Sequence, residues 1–316
     1  MRVAVVDIGT NSTRLLIADV APDGAVSQLC RESIVTRLGD RVDATGRLQD
    51  EAIERVFATL RRYRALIDEH GATATTAVLT SAVRDAANGA QFTAAVRDDL
   101  GFDARTIGGD EEAALTFAGA TSERADDGEQ LVVDIGGGST EFVIGCDGVV
   151  GFHVSTQAGV VRQTERHIHS DPPRRAEVDA LRTEVAQIVA DNVPAEQRRD
   201  VTTAIAVAGT ATSCAAIELE LDPYDPTRVH GHTLTRATTA QILERLVALT
   251  NDERRRITGL HPDRAPTIVA GVAMLLEVFD AFGLDAVEVS EHDILRGAAL
   301  RLARSDAPRH PVHDRP

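Results

Sequence analysis

The chain has 316 residues, enough for two domains of ordinary size, and its 43% hydrophobic and 26% charged residues suit a fold that buries substantial cores. A net charge of −16, 3% aromatic residues and no tryptophan argue against a broad nucleic-acid surface, an anionic-membrane surface or a base-stacking platform. All 33 basic residues are arginines, which excludes a Walker P-loop, a protein-kinase strand lysine and a pyridoxal Schiff base; phosphate chemistry here must use arginine, main chain and metal.

Residues 2 to 35 read as three strands around a glycine turn, Asp7-Ile8-Gly9-Thr10-Asn11-Ser12, and an Asp23-Gly24 hairpin turn. The stretch from Arg37 to Gly46 reads as a loop, whose Arg37 and Arg41 either face a phosphate chain or are solvated charges. Apolar residues Ile53, Val56, Phe57, Leu60, Tyr63 and Ile67 recur at the helical period, so a helix is expected from Asp50 to about Glu69, stopped by Gly71. A buried strand over Thr75 to Thr80 precedes Ser81-Ala82-Val83-Arg84-Asp85. Arg84, just past a strand end, either clamps a phosphate bidentately or pairs with Asp85 or a neighbour.

A helix from Ala90 to Leu100 and a strand from Ala104 to Ile107 lead to Gly108-Gly109-Asp110-Glu111-Glu112-Ala113, the opening of another helix. Acidic residues there complement the helix dipole; alternatively one of them, at a cleft between two halves, orients a water as general base. The polar stretch from Thr121 to Gln130 is the expected boundary, giving domains 1–124 and 125–304 with a disordered tail at 305–316.

The second half opens on Leu131-Val132-Val133-Asp134-Ile135-Gly136-Gly137-Gly138-Ser139-Thr140-Glu141. Three glycines between two strands let a backbone approach a ligand closely, and successive N–H groups in such a turn suit phosphate oxygens. Asp134 beside them implies a cation between carboxylate and phosphate. At an offset of 127 this stretch repeats Val-Val-Asp-Ile-Gly, Ser-Thr and Ile of the first, and Asp147-Gly148 repeats the hairpin turn. The chain therefore reads as two similar halves facing each other. Helices are expected from Gln157 to Ile168, Pro173 to Asn192, Thr238 to Leu249 and Ala265 to Phe282. Between them, the run Ala204 to Ser213 reads as a strand, a turn with Gly209 and Thr210, and a helix start suited to phosphate. A strand from Ala286 to Val289 precedes Ser290-Glu291-His292-Asp293-Ile294-Leu295-Arg296-Gly297 and a last helix. Cys30, Cys146 and Cys214 are far apart and read as reduced thiols. The pairs His167/His169 and His230/His232 lack a third ligand at helpful spacing. No apolar run approaches a membrane span of about 18 residues, and the first residues enter a strand directly, so a cytoplasmic protein without a signal peptide is expected.

The motifs Asp-Ile-Gly-Thr-Asn-Ser from 7, Thr-Ser-Ala-Val-Arg-Asp-Ala at 80–86, Gly-Gly-Asp-Glu-Glu-Ala at 108–113 and Asp-Ile-Gly-Gly-Gly-Ser-Thr-Glu at 134–141 resemble the exopolyphosphatase/guanosine pentaphosphate phosphohydrolase (Ppx/GppA) family, in a short two-domain form. That family belongs to the actin, Hsp70 and sugar-kinase superfamily. The resemblance implies an α/β fold of two duplicated ribonuclease-H-like (actin-like ATPase) domains with the active site in the cleft between them. It implies Glu112 as catalytic base, with Glu111 its neighbour, and Mg²⁺ (or Mn²⁺) held by Asp134 with Asp7 and Glu141. Phosphates would be held by Thr10, Asn11, Ser12, Arg14, Arg84, Gly136, Gly137, Gly138, Ser139 and Thr140, with Gly209 and Thr210. A homodimer, no nucleic-acid or membrane partner, and a place in the stringent response complete the implied picture.

The leading expectation is hydrolysis of the terminal phosphoanhydride of inorganic polyphosphate, with short chains favoured because the chain lacks the extra C-terminal domains of longer family members. Cleavage of pppGpp to ppGpp is the alternative substrate reading. A non-catalytic polyphosphate or alarmone sensor and a small-molecule kinase are the alternatives of other classes.

Overall fold

A computed structural model describes residues 1–124, 128–146 and 148–305. The middle of the expected linker (125–127), Asp147 of the second hairpin turn and the tail beyond Ser305 lie outside the described residues.

The first half runs β1 (Arg2–Ile8), β2 (Ser12–Val20), β3 (Val26–Val35), α1 (Val42–Thr45), α2 (Asp50–His70), β4 (Ala74–Leu79), α3 (Ser81–Asp85), α4 (Gly89–Leu100), β5 (Ala104–Thr106) and α5 (Gly109–Ala120). The second runs β6 (Gln130–Ile135), β7 (Thr140–Cys146), β8 (Val149–Thr156), α6 (Val160–His167), α7 (Arg175–Asn192), α8 (Ala195–Arg199), β9 (Thr203–Val207), α9 (Ala208–Glu218), α10 (Pro226–Val229), β10 (Thr233–Thr235), α11 (Arg236–Val247), α12 (Asn251–Arg254), α13 (Ile268–Phe282), β11 (Ala286–Val289) and α14 (Ile294–Ser305). The expected loop at 37–46 contains α1, which buries Val42. Elements of three to five residues, such as α3, α8, α12 and β10, are too short to display a hydrophobic period.

The strand order is β3-β2-β1-β4-β5 in one sheet and β10-β11-β9-β6-β7-β8 in the other. In each, an antiparallel meander of three strands is continued by parallel partners of its first strand: β1 with β4, and β6 with β9. The α/β class and the duplicated arrangement are therefore those expected. Strands β1 and β6 are nearly continuous apolar runs because both faces of each sheet are covered.

On its outer side the first sheet meets α2 and α4 through Leu60, Tyr63, Phe92 and Val96. The second meets α7, α9, α11 and α13 through residues such as Leu181, Cys214, Leu246 and Leu275. Two helices lie between the sheets, and they cross the expected domain boundary. Helix α5, from the first half, packs Ala113, Phe117 and Ala120 on Val132, Val143 and Ile205 of the second sheet. Helix α14, placed by the boundary in the second domain, packs Leu295, Ala298 and Ala299 on Val3, Val5 and Leu16 of the first. The inner face of each sheet needs an apolar cover, and the chain takes it from the opposite half.

Glycines bring α5 and α14 together. A Cβ at Gly119 would stand 2.0 Å from the Asp293 carbonyl oxygen, and one at Gly297 would stand 1.9 Å from that of Leu115.

Candidate active site

The internal repeat is visible in hydrogen bonds. In the first turn the Gly9 N–H donates to the Ser12 carbonyl at 3.0 Å, and in the second the Gly136 N–H donates to that of Ser139 at 3.0 Å. The intervening carbonyls are drawn backwards. Thr10 and Asn11 accept from the N–H groups of Gly39, Thr36 and Arg37 at 2.8–3.0 Å; Gly136 and Gly137 accept from those of Val160 and Val161 at 2.9 and 2.8 Å. The Arg162 Nε takes the Gly138 carbonyl at 3.0 Å. Carbonyls tied on one side leave the amides of Gly137 and Gly138 without a backbone acceptor among the described residues, the condition for an anion cradle.

The two turns open onto one cleft and touch across it. A Cβ at Gly137 would come within 2.9 Å of the Asn11 nitrogen, and one at Gly138 within 2.7 Å of the hydroxyls of Thr10 and Ser81. Asp7, Thr10, Asn11, Ser12, Arg14, Glu112, Asp134, Gly136, Gly137, Gly138, Ser139, Glu141, Gly209 and Thr210 all line this cleft. Three of the expected site residues do not. Glu111 faces away and pairs with Arg105 and Arg301. Thr140, one step past the turn, is buried with its hydroxyl donating to the Ala158 carbonyl at 2.6 Å. Arg84 stands behind Glu112, donating to its Oε2 at 3.0 Å and to the Ile107 carbonyl at 3.1 Å. Its partner is thus Glu112 rather than Asp85. Neither Arg37 nor Arg41 reaches the cleft wall.

Glu112 sits in the first turn of α5 and is buried against the cleft. Desolvation is the main cause that pushes its carboxyl up to about 7, with Arg84 opposing and Asp7 adding to the rise. Asp7 and Asp134 hold equivalent places in the repeat, but the residues opposite them on the neighbouring strand differ. Asp7 faces Arg14, whose Nε donates to it at 2.8 Å. Asp134 faces Glu141, a like charge. Burial, and then the surrounding carboxylates, push Asp134 up to about 7 despite Arg14, and raise Glu141 well above the ordinary carboxylate range. Ser155 donates to Glu141 at 2.8 Å, but no described side chain donates to the Asp134 carboxylate. Two buried, opposed carboxylates with one lacking any donor are oxygen ligands that fit a small hard divalent cation. Asp7 is already neutralised by Arg14, so it fits the role less well.

No site role was expected for Arg264, Thr80, Ser81 or Thr267, which also line the wall, although Thr80 and Ser81 open one of the motifs. Arg264 has no carboxylate partner among the described residues. Its guanidinium covers Gly209 so closely that a Cβ there would meet Nη1 at 1.5 Å. It lies 55 residues beyond Gly209 in a segment with no motif, so only the folded chain brings the two together. Asp293, within a stretch noted in the sequence, binds the Arg14 Nη1 at 2.5 Å and the Arg31 Nη2 at 3.1 Å. His167 bonds Glu184 at 2.7 Å and His232 bonds Glu218 at 2.8 Å. The third ligand that the sequence spacing did not offer comes from the fold: Glu123, His230 and His292 bring ligand atoms within 4.8 Å of one another, with the two rings tilted at 37°, although the His230 Nδ1 accepts the Glu291 N–H and Arg296 pairs with Glu123.

Comparison with known proteins agrees in extent. The model of the Ppx/GppA phosphatase family matches residues 16–305. The chain is 40% identical over 318 residues to exopolyphosphatase 2 of Mycobacterium tuberculosis, covering 96% of this chain and 98% of that protein. Among solved structures, the Ppx/GppA family member of Aquifex aeolicus superposes with a TM-score of 0.81 at 33% identity, covering 98% of this chain and 99% of that one. An exopolyphosphatase from Cytophaga hutchinsonii gives a TM-score of 0.88 at 27% identity, over 96% and 98% of the two chains.

Proposed function

The chain belongs to the Ppx/GppA phosphatase family, and from that premise we propose that it is an exopolyphosphatase, releasing orthophosphate from the end of short inorganic polyphosphates. The observation that carries the reading is that two amide-lined turns face one cleft with Glu112 on its wall. The terminal phosphoryl group lies between the turns, with its oxygens toward the amides of Gly137 and Gly138 and the N-terminus of α9, and toward Arg264. Glu112 takes a proton from a water molecule as that water attacks phosphorus. The bond from phosphorus to the bridging oxygen breaks in line, orthophosphate forms, and the chain leaves one unit shorter. A carboxyl near 7 is suited to exchange that proton at neutral pH. Transfers of this kind depend mainly on positioning and on charge stabilisation.

Magnesium or manganese is the proposed cofactor, held by Asp134 and Glu141; when bound, it neutralises charge on the phosphate oxygens. A homodimer and a cytoplasmic setting belong to the same proposal. No helix among the described residues is long and apolar enough to cross a membrane.

The test is orthophosphate release from tripolyphosphate, long polyphosphate and pppGpp, with and without Mg²⁺. Metal-dependent release that is fastest from tripolyphosphate is expected. Release from pppGpp alone would transfer the activity to the alarmone, whose 5′ end presents the same anhydride, and tight binding without release would make the protein a sensor. Glu112→Gln keeps the size of the side chain and should lower kcat by about 100-fold or more while polyphosphate still binds.

A further inference from the structure

Arg162 lies in the first turn of α6, directly after the residues whose N–H groups hold the second glycine turn. Its side chain is only 14% exposed and makes three bonds at once. Nε donates to the Gly138 carbonyl in its own half at 3.0 Å. Nη1 pairs with Asp43 and Nη2 with Asp85, the latter at 3.1 Å, both in the other half.

Each partner sits on an element adjoining a wall of the cleft. Asp43 opens α1, which follows the loop that takes the Thr10 and Asn11 carbonyls. Asp85 ends α3, which begins with the cleft residue Ser81 and carries Arg84, the partner of Glu112. The Ser81 hydroxyl also reaches the same Asp85 oxygen at 3.5 Å. Beside this clasp the Arg41 N–H donates to Glu165 at 3.2 Å, again across the halves. Away from it the halves are joined by α5 and α14, through close-packed glycines that fix one side of the cleft.

We infer that Arg162 is a positioning residue that latches the two halves shut and, in doing so, registers the Gly136–Gly138 turn against α3 and the Arg84–Glu112 pair. A planar guanidinium suits this task, because it offers separate N–H groups to a carbonyl and two carboxylates in one plane. With the cleft shut the turns touch, so substrate must enter a form in which these bonds are broken, and they must re-form before the base and the phosphate cradle are aligned. The inference deepens the phosphatase reading and rests on it only for the kinetic part of its test.

The experiment compares the full chain with Arg162→Gln, Arg162→Lys and an Asp43→Ala/Asp85→Ala double variant, by small-angle scattering and by kcat and KM on tripolyphosphate. The expected result for Arg162→Gln is a larger radius of gyration at unchanged secondary structure, and a kcat at least tenfold lower. Arg162→Lys keeps the charge but carries its three donors on one nitrogen, which cannot span a carbonyl and two separate carboxylates, and should remain closer to Gln than to Arg. The double variant, which touches only the surface ends of the clasp, should reproduce the expansion even if substitutions at 162 impair folding. An Arg162→Gln protein as compact and as fast as the parent overturns the latch, and so does full rescue by Lys or an unexpanded double variant. A parent inactive on every phosphate substrate would refute the phosphatase reading alone, since the scattering result stands without it.

Discussion

Asp7 and Asp134 show how one residue changes the chemistry of a repeated motif. Seven positions after each aspartate stands Arg14 in one half and Glu141 in the other, and the antiparallel register sets each opposite its aspartate. The first half thereby pairs its aspartate with a guanidinium that Asp293 shares, while the second sets two buried carboxylates opposite each other. Arg84 acts at the same scale. Its hydrogen bond and charge lower the Glu112 pKa against the larger effect of burial. Removing that guanidinium, as in Arg84→Gln, leaves burial opposed only by the more distant charge of Arg14, so Glu112 holds its proton to higher pH. Since the proposed base would have to be ionised, the acidic limb of the rate profile should move upward, with phosphate release falling at neutral pH and recovering in alkaline buffer. An unmoved limb in the variant would dissociate Arg84 from the base.

At the scale of elements, α5 matters because it carries Glu112 at one end and packs against both α14 and the second sheet along its length. Its crossing with α14 leaves no room for a methyl group at Gly297, whose Cβ would meet backbone atoms of Leu115 rather than a flexible side chain. Gly297→Ala must therefore push the helices apart. A loss of about 1–3 kcal/mol is expected for such overpacking, measurable by urea unfolding. An equal or higher midpoint would show that the crossing has slack. Helix propensity alone argues the other way, since alanine is favoured over glycine in a helix interior.

For the whole molecule, the buried carboxylates couple folding to pH, and the proposed metal site would couple it to cation binding. Asp134, pushed up to about 7, binds a proton in the folded chain at pH values where the unfolded chain has already released it. A raised carboxyl stabilises the fold below the unfolded pKa, and that contribution is lost as pH rises toward the folded value. Without metal, this group therefore lowers stability between about pH 4 and pH 7. An ion in the proposed site between Asp134 and Glu141 would offset the charge, and a ligand that binds only the folded state raises Tm. The Tm increment from millimolar Mg²⁺ should be larger near pH 8 than near pH 5, and should shrink in Asp134→Asn. Equal increments at the two pH values would place the ion elsewhere.

Much of this was legible in the residues alone. The strand–glycine–strand repeat, the alternation of strands with periodic helices and the acidic opening of α5 are local signals, because backbone freedom, burial period and helix dipole act over a few neighbouring residues. They suffice to indicate two similar halves and a phosphate site with Asp134 and one acidic residue of the α5 opening in it, and the family resemblance pointed to Glu112. Choosing Glu112 over Glu111 needed the direction of α5: the adjacent side chains leave the helix at different angles, one toward the cleft and the other toward Arg105 and Arg301. The places of Arg84, Arg162, Arg264 and Asp293, and the return of α14 to the first sheet, were decided only by the tertiary structure. Their partners lie tens to hundreds of residues away, and no local pattern encodes which charge will stand beside which once the apolar faces have been covered.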